Sequence, residues 1–155
     1  MSPDPTPFEK LLVALVCGKV DFVTIGGVAC ALNGFVRTTE DVDLLVAGDP
    51  ENIQRLLTVL QTVGQGFARE LSPSDFSDEE GAIRVIEEFP IDIFIRIGGR
   101  HIEDFRAHVR YSQIHGIPVP YLSAEGLILL KKESVRDKDQ IDVAALRRIS
   151  IQRNL

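Results

Sequence analysis

The chain has 155 residues, 45% of them hydrophobic, which is the size and make-up of one compact domain over residues 1–155. A formal net charge of −6 argues against extended binding along a nucleic-acid backbone, which needs clustered Lys and Arg, but leaves room for an anionic substrate carried with metal ions. The start, MSPDPTPF, has no basic segment leading into an apolar run, and no apolar stretch approaches the roughly 20 residues of a membrane span, so a cytoplasmic protein is expected.

In chain order, FEKLLVALVCGK reads as a first helix, with Phe8, Leu11, Leu12, Leu15 and Val16 at helical spacing and Gly18 as its stop. DFVTI is a short strand, ended by Gly26-Gly27, and VACALNGF is a short helix that begins at the diglycine. Cys17 and Cys30 stand in no metal-binding or redox spacing and are expected as small core residues. DVDLLVA is the second strand, and GDPENIQRLLTVLQTVG a helix with Pro50 in its first turn and Gly64 after its end. SPSDFSDEEG is a polar loop.

AIRVIEEF and IDIFIRI follow as neighbouring strands or one bent pair across Pro90. HIEDFRAHVRYSQI is expected as a helix or a helix with a loop. IPVPYL is expected at a sheet edge, because its prolines lack ladder donors. SAEGLILLKKESV is a helix capped by Ser123, and DKDQIDVAALRRIS a last helix with Asp137 and Gln140 in capping-box spacing. Early strand–helix alternation and a cluster of strands in the middle predict an α+β fold with α/β character, a mixed sheet with helices packed on it.

Residues two apart on a strand share a face, so Asp41 and Asp43 point one way while Val42, Leu44 and Val46 point into the core. Two neighbouring carboxylates at the mouth of a buried strand repel, and desolvation adds to the cost. A divalent cation relieves both effects. Mg²⁺ suits hard oxygen ligands and combines a carboxylate or two with substrate phosphates. Gly26-Gly27, between strand and helix, lets the backbone turn tightly and approach a ligand, and the following helix N-terminus offers N–H groups to an anion. The order is therefore a phosphate cradle followed by a metal-binding pair.

That order, GGVACALNGFVRTTEDVDLLV, resembles the signature of the nucleotidyltransferase superfamily that includes DNA polymerase beta. It is most similar to the small bacterial members of the minimal nucleotidyltransferase and abortive-infection toxin type. The resemblance runs from about residue 22 to about 147 and implies the nucleotidyltransferase fold. Members carry a third acid on a later strand, which FPIDIFI supplies as Asp92. LSAEGLILLKKESVRDKDQIDVAAL resembles their C-terminal pattern, in which Lys131 is the helix lysine and Asp139 and Asp142 are trailing acids. Classical members have a serine after the first glycine; this chain has Gly27, so donor phosphates would rely on backbone N–H groups.

The resemblance implies transfer of a nucleoside monophosphate from a nucleoside triphosphate (NTP), ATP among them, to an acceptor hydroxyl. Two Mg²⁺ ions would bridge Asp41, Asp43 and Asp92, and Asp92 could also act as general base. Lys131 would meet the phosphates as a point charge, and Asp139 would belong to the nucleotide site. Arg37 is open to holding a phosphate or pairing with an acid, and Thr39 to binding a phosphate or a metal-bound water. His101 and His115 are expected in surface segments. Acidity and short length favour a small molecule or a protein over RNA as acceptor. An antitoxin or a second copy of the chain is an expected partner, and a membrane is not. The rival reading is a non-catalytic, antitoxin-like regulator on the same fold; three intact acids argue against it.

Overall fold

The computed structural model describes residues 6–35, 39–63 and 67–131. The first helix, α1 (Pro7–Cys17), is opened by Thr6, whose hydroxyl accepts from the Glu9 N–H while the Glu9 carboxylate accepts from the Thr6 N–H. It leads into strand β1 (Phe22–Ile25), helix α2 (Gly26–Leu32), strand β2 (Val42–Val46) and helix α3 (Pro50–Thr62). A hairpin of β3 (Ala82–Ile86) and β4 (Pro90–Phe94), a second hairpin of β5 (Val109–Ile114) and β6 (Ile117–Leu122), and helix α4 (Ala124–Lys131) complete the described elements. Ser123 caps α4, its hydroxyl accepting from the Gly126 N–H at 3.3 Å.

The six strands form one mixed sheet in the order β3-β4-β2-β1-β6-β5. Pairs β4–β2 and β2–β1 are parallel and antiparallel respectively, and β1–β6 is parallel. Both faces are covered, which explains why β2 is apolar at nearly every position. Val42, Leu44 and Val46, with Ile91, Ile93 and Ile95, pack against α1 and α3 through Leu11, Leu15, Leu56 and Leu60. Leu45, Val23 and Ile25 face the other way, toward Ala29 and Cys30 of α2 and Leu127 of α4. Asp43 and Asp92 alternate with the first set and so lie on the α2–α4 face.

Asn52 ties α3 to the sheet and is fully buried. Its Nδ2 donates to the carbonyls of Asp21 at 3.0 Å and Ala47 at 2.8 Å, and its Oδ1 accepts from the Asp21 N–H at 2.7 Å. Asn52→Ala therefore removes three hydrogen bonds and strands the partly buried Asp21 N–H. The expected loss is about 3 kcal/mol at about 1 kcal/mol per bond, read as a lower urea midpoint with an unchanged slope.

Four expectations change. HIEDFRAHVRYSQI is a 3₁₀ helix over Ile102–His108 followed by β5, not a helix into a loop. The turn His115-Gly116, with φ of 49° and 80°, is a two-residue hairpin that demands a strand on each side. β6 is not the edge strand; it sits between β1 and β5. β1 meets it at Thr24 and Tyr121, beyond Pro118 and Pro120, so the proline-bearing half faces no β1 ladder and the missing donors are not needed there. Alternation through IDIFIRI places Ile91, Ile93, Ile95 and Ile97 on one face, but Ile97 leaves it, because β4 ends at Phe94 and the chain turns at Gly98-Gly99, which puts Ile97 in the α2–α4 layer. Cys30 is buried as expected, but Cys17, at the last turn of α1, is exposed. The last expected helix, from Asp137, lies outside the described residues.

Candidate active site

Sheet register assembles the site. Asp43 on β2 lies directly across from Asp92 on β4, and Asp92 lies across from Arg84 on β3. On the other side, Asp43 is paired with Ile25, the residue before Gly26. Four adjacent strands thus bring Gly26, Asp43, Asp92 and Arg84 into one row on the α2–α4 face. Asp41, two residues before Asp43 and at the entrance of β2, adds a third carboxylate. One oxygen from each of Asp41, Asp43 and Asp92 lies within 4.8 Å of the others.

Burial grades along this row. Asp92 is 8% exposed, whereas Asp41 and Asp43 are half-buried. Arg84 grips Asp92 with both prongs: Nε donates to Oδ1 at 2.8 Å and Nη2 to Oδ2 at 2.8 Å. The same Nη2 stands 3.6 Å from Oδ2 of Asp41. The hydrogen bonds and charge of Asp92 hold the Arg84 guanidinium above its ordinary pKa, and the charges of Asp41 and Asp43 add to this.

Gly26 shapes the other wall. Its φ is +68°, in the left-handed region, and a Cβ built on it would run into Oδ2 of Asp43 and come within 2.8 Å of that residue's Cγ. A side chain at position 26 would therefore occupy the place of the Asp43 carboxylate. Three hard carboxylate oxygens in this spacing, beside a backbone with no Cβ, fit Mg²⁺ with substrate phosphates as its remaining ligands.

Other expected site residues fall as follows. Gly27 is buried in the first turn of α2, and Thr39 is half-buried two residues before Asp41. Lys131 is the last residue of α4, which packs on the same face of the sheet as the acids; its side chain is outside what is described. Arg37, Asp139 and Asp142 lie outside the described residues. His101 pairs with Asp78 at 2.7 Å and His115 lies 3.6 Å from Glu9, both away from the acids. Of the two other acids near Asp92, which alternation around Pro90 would leave at a solvated turn, Glu88 is exposed, but Glu87 is 7% exposed, because the β3–β4 turn folds it into a pocket with Lys10, Thr62 and Phe89.

Sequence reasoning did not single out Arg84. The available signal was its phase in AIRVI: Ile83 joins the α1–α3 layer and Val85 is buried there, so Arg84 must face the side of the acids. Asn33 was also passed over; it is buried at the end of α2, and its Nδ2 donates to the Leu122 carbonyl at 2.9 Å, fixing α2 to β6.

The architecture is that of a nucleotidyltransferase. The lincosamide antibiotic adenylyltransferase LnuA, solved with lincomycin bound, is similar over 96% of this chain and 99% of its own, with a TM-score of 0.58 and 13% identity. TM1012 of Thermotoga maritima, a candidate nucleotidyltransferase, matches over 94% of this chain and 91% of its own, with a TM-score of 0.56 and 19% identity. The antibiotic-resistance factor ANT(2'')-Ia matches over 96% and 91%, with a TM-score of 0.53 and 15% identity. No curated protein sequence matches the chain. Residues 8–155 match the family described as nucleotidyl transferase of unknown function (DUF2204), and the chain belongs to that family. It is a transferase of the nucleotidyl class. Among the described residues no helix is long and apolar enough to cross a membrane.

Proposed function

We propose that this chain, acting as a single domain, transfers a nucleoside monophosphate from an NTP to an acceptor hydroxyl with Mg²⁺ held by Asp41, Asp43 and Asp92. The observation that carries this reading is the convergence of those three carboxylates within 4.8 Å, on two adjacent parallel strands and at the entrance of one of them. Mg²⁺ at these oxygens would acidify the acceptor hydroxyl and offset charge on the triphosphate. The protein's own task is then chiefly positioning. Asp92, the most enclosed acid, accepts the proton of the hydroxyl as general base. Gly26 and Gly27 let the triphosphate approach the backbone at the start of α2. Lys131, Arg37, Thr39 and Asp139 complete the nucleotide site in this proposal, on the strength of the sequence resemblance.

The acceptor is a small molecule or a protein in preference to RNA. The chain is short and acidic, and the name of LnuA, with which it shares almost its full span, supports a small-molecule hydroxyl. A cytoplasmic place follows the expectation from the amino-acid sequence, and a partner in a toxin–antitoxin pair, or a second copy of the chain, rests on the sequence resemblance.

The test is a thermal melt with Mg²⁺ and each of the four NTPs, followed by transfer assays with labelled donor. One NTP is expected to raise the melting temperature in the presence of Mg²⁺, by the equivalent of about 2.7 kcal/mol at a hundredfold excess over Kd. Asp43→Asn should abolish that gain without unfolding the protein, since it relieves repulsion between carboxylates. Full stabilisation of Asp43→Asn by Mg²⁺ and NTP would refute the assignment.

A further inference from the structure

We propose that Arg84 competes with a divalent cation for the carboxylate of Asp92, and so sets how tightly the three acids take metal before nucleotide arrives. This rests on the reading of Asp41, Asp43 and Asp92 as the metal-holding acids. Arg84 engages both oxygens of Asp92 at 2.8 Å and leans toward Asp41 at 3.6 Å, so its guanidinium lies against two of the three carboxylates. Mg²⁺ and Mn²⁺ demand close, well-aligned oxygens, at about 2.0–2.1 Å for Mg²⁺. An ion that close to Asp92 oxygen would bring two positive centres within a few ångströms of each other. One bond of the fork must lengthen or break for the ion to seat.

The fold makes that movement easy. β3 is one of the two edge strands of the sheet, and the Arg84 side chain is 54% exposed. It can pivot into solvent without opening the core, because Ile83 and Val85, which anchor β3, face the opposite layer. Asp92 cannot follow, since its strand is hydrogen-bonded on both sides by β2 and β3. The guanidinium is therefore the movable partner and the carboxylate the fixed one. Arg84 is a positioning residue: it holds Asp92 facing the other acids and gives way to a cation of higher charge.

The experiment measures Mn²⁺ binding without nucleotide, by electron paramagnetic resonance of the free ion, for wild type, Arg84→Met, Arg84→Lys and Asp43→Asn. Arg84→Met keeps the length of the side chain and removes the charge; it should bind Mn²⁺ about tenfold more tightly than wild type, the scale of one charge-assisted pair. Arg84→Lys keeps the charge but not the fork and should fall between the two. Arg84→Met should also melt lower than wild type without Mn²⁺ and gain more on its addition. A merely structural role would lower the melting temperature and leave Mn²⁺ affinity unchanged. If Asp43→Asn loses Mn²⁺ binding while Arg84→Met binds no tighter than wild type, this inference is overturned and the metal-site reading stands. If Asp43→Asn binds Mn²⁺ as wild type does, both are overturned.

Discussion

Asp92→Asn is expected to lower nucleotidyl transfer by about 10²- to 10⁴-fold, the range lost with a general base, while Mg²⁺-dependent NTP binding partly survives. The two halves of this result come from different residues. Asp92 is the most enclosed of the three acids, and its position is fixed by β2 on one side and β3 on the other. Asparagine has the same shape, so the strand register should persist. It cannot take a proton from the acceptor, and it offers one neutral oxygen where Asp92 offered two charged ones. Asp41 and Asp43 remain, at the entrance of β2 and on it, and can still hold one ion with the phosphates. Glu87→Gln and Glu88→Gln should stay within a few-fold of wild type, because Glu87 is folded into a pocket beside Lys10 and Glu88 is exposed at the turn. Normal turnover in Asp92→Asn together with a dead glutamate variant would show that the third acid has been misassigned.

Sequence periodicity made Asp92 readable. In PIDIF the isoleucines had to face a core, which left Asp92 on the other side with the same phase as Asp43. The pairing of strand and helix around Gly26-Gly27 was readable for the same reason, from a short apolar run stopped by two glycines. What could not be read was register. Nothing in AIRVIEEFPIDIF fixes whether Arg84 or a neighbour lies across from Asp92; the turn at Glu87–Phe89 decides it, where the Glu87 N–H donates to the Phe89 carbonyl at 3.1 Å. The middle of the chain was misread where proline and helix propensity were weighed above turn chemistry. His115-Gly116 specifies a hairpin more strongly than Pro118 and Pro120 specify an edge, and it makes β5 the outer strand. Asn33 and Asn52 were invisible because their importance lies in carbonyls distant in the chain, Leu122 for one and Asp21 for the other.

Gly26→Ala is expected to damage both stability and metal binding, and the two effects share a cause. The sequence suggested a glycine kept for phosphate approach; the structure adds that its missing Cβ leaves the space Asp43 fills. An alanine at φ +68° carries about 1–2 kcal/mol of backbone strain. Its Cβ would also meet the Oδ2 of Asp43, with Asp43 Cγ at 2.8 Å and Cβ at 2.9 Å. Asp43 cannot retreat along its strand, because β2 is hydrogen-bonded to β1 and β4 at that residue. The carboxylate must rotate out of its rotamer, away from Asp41 and Asp92. At about 2–4 °C per kcal/mol for a chain of this size, the melting temperature should fall by roughly 5 °C or more. The stabilisation by Mg²⁺ and NTP should largely vanish. Strain and collision are separated by a double-mutant cycle with Asp43→Ala, which removes the carboxylate. Gly26→Ala should be markedly less destabilising in the Asp43→Ala background than in wild type, with only the backbone strain and the 2.9 Å approach to the Cβ of residue 43 left. Equal penalties in the two backgrounds would mean that Gly26 serves the turn alone and that Asp43 does not depend on it.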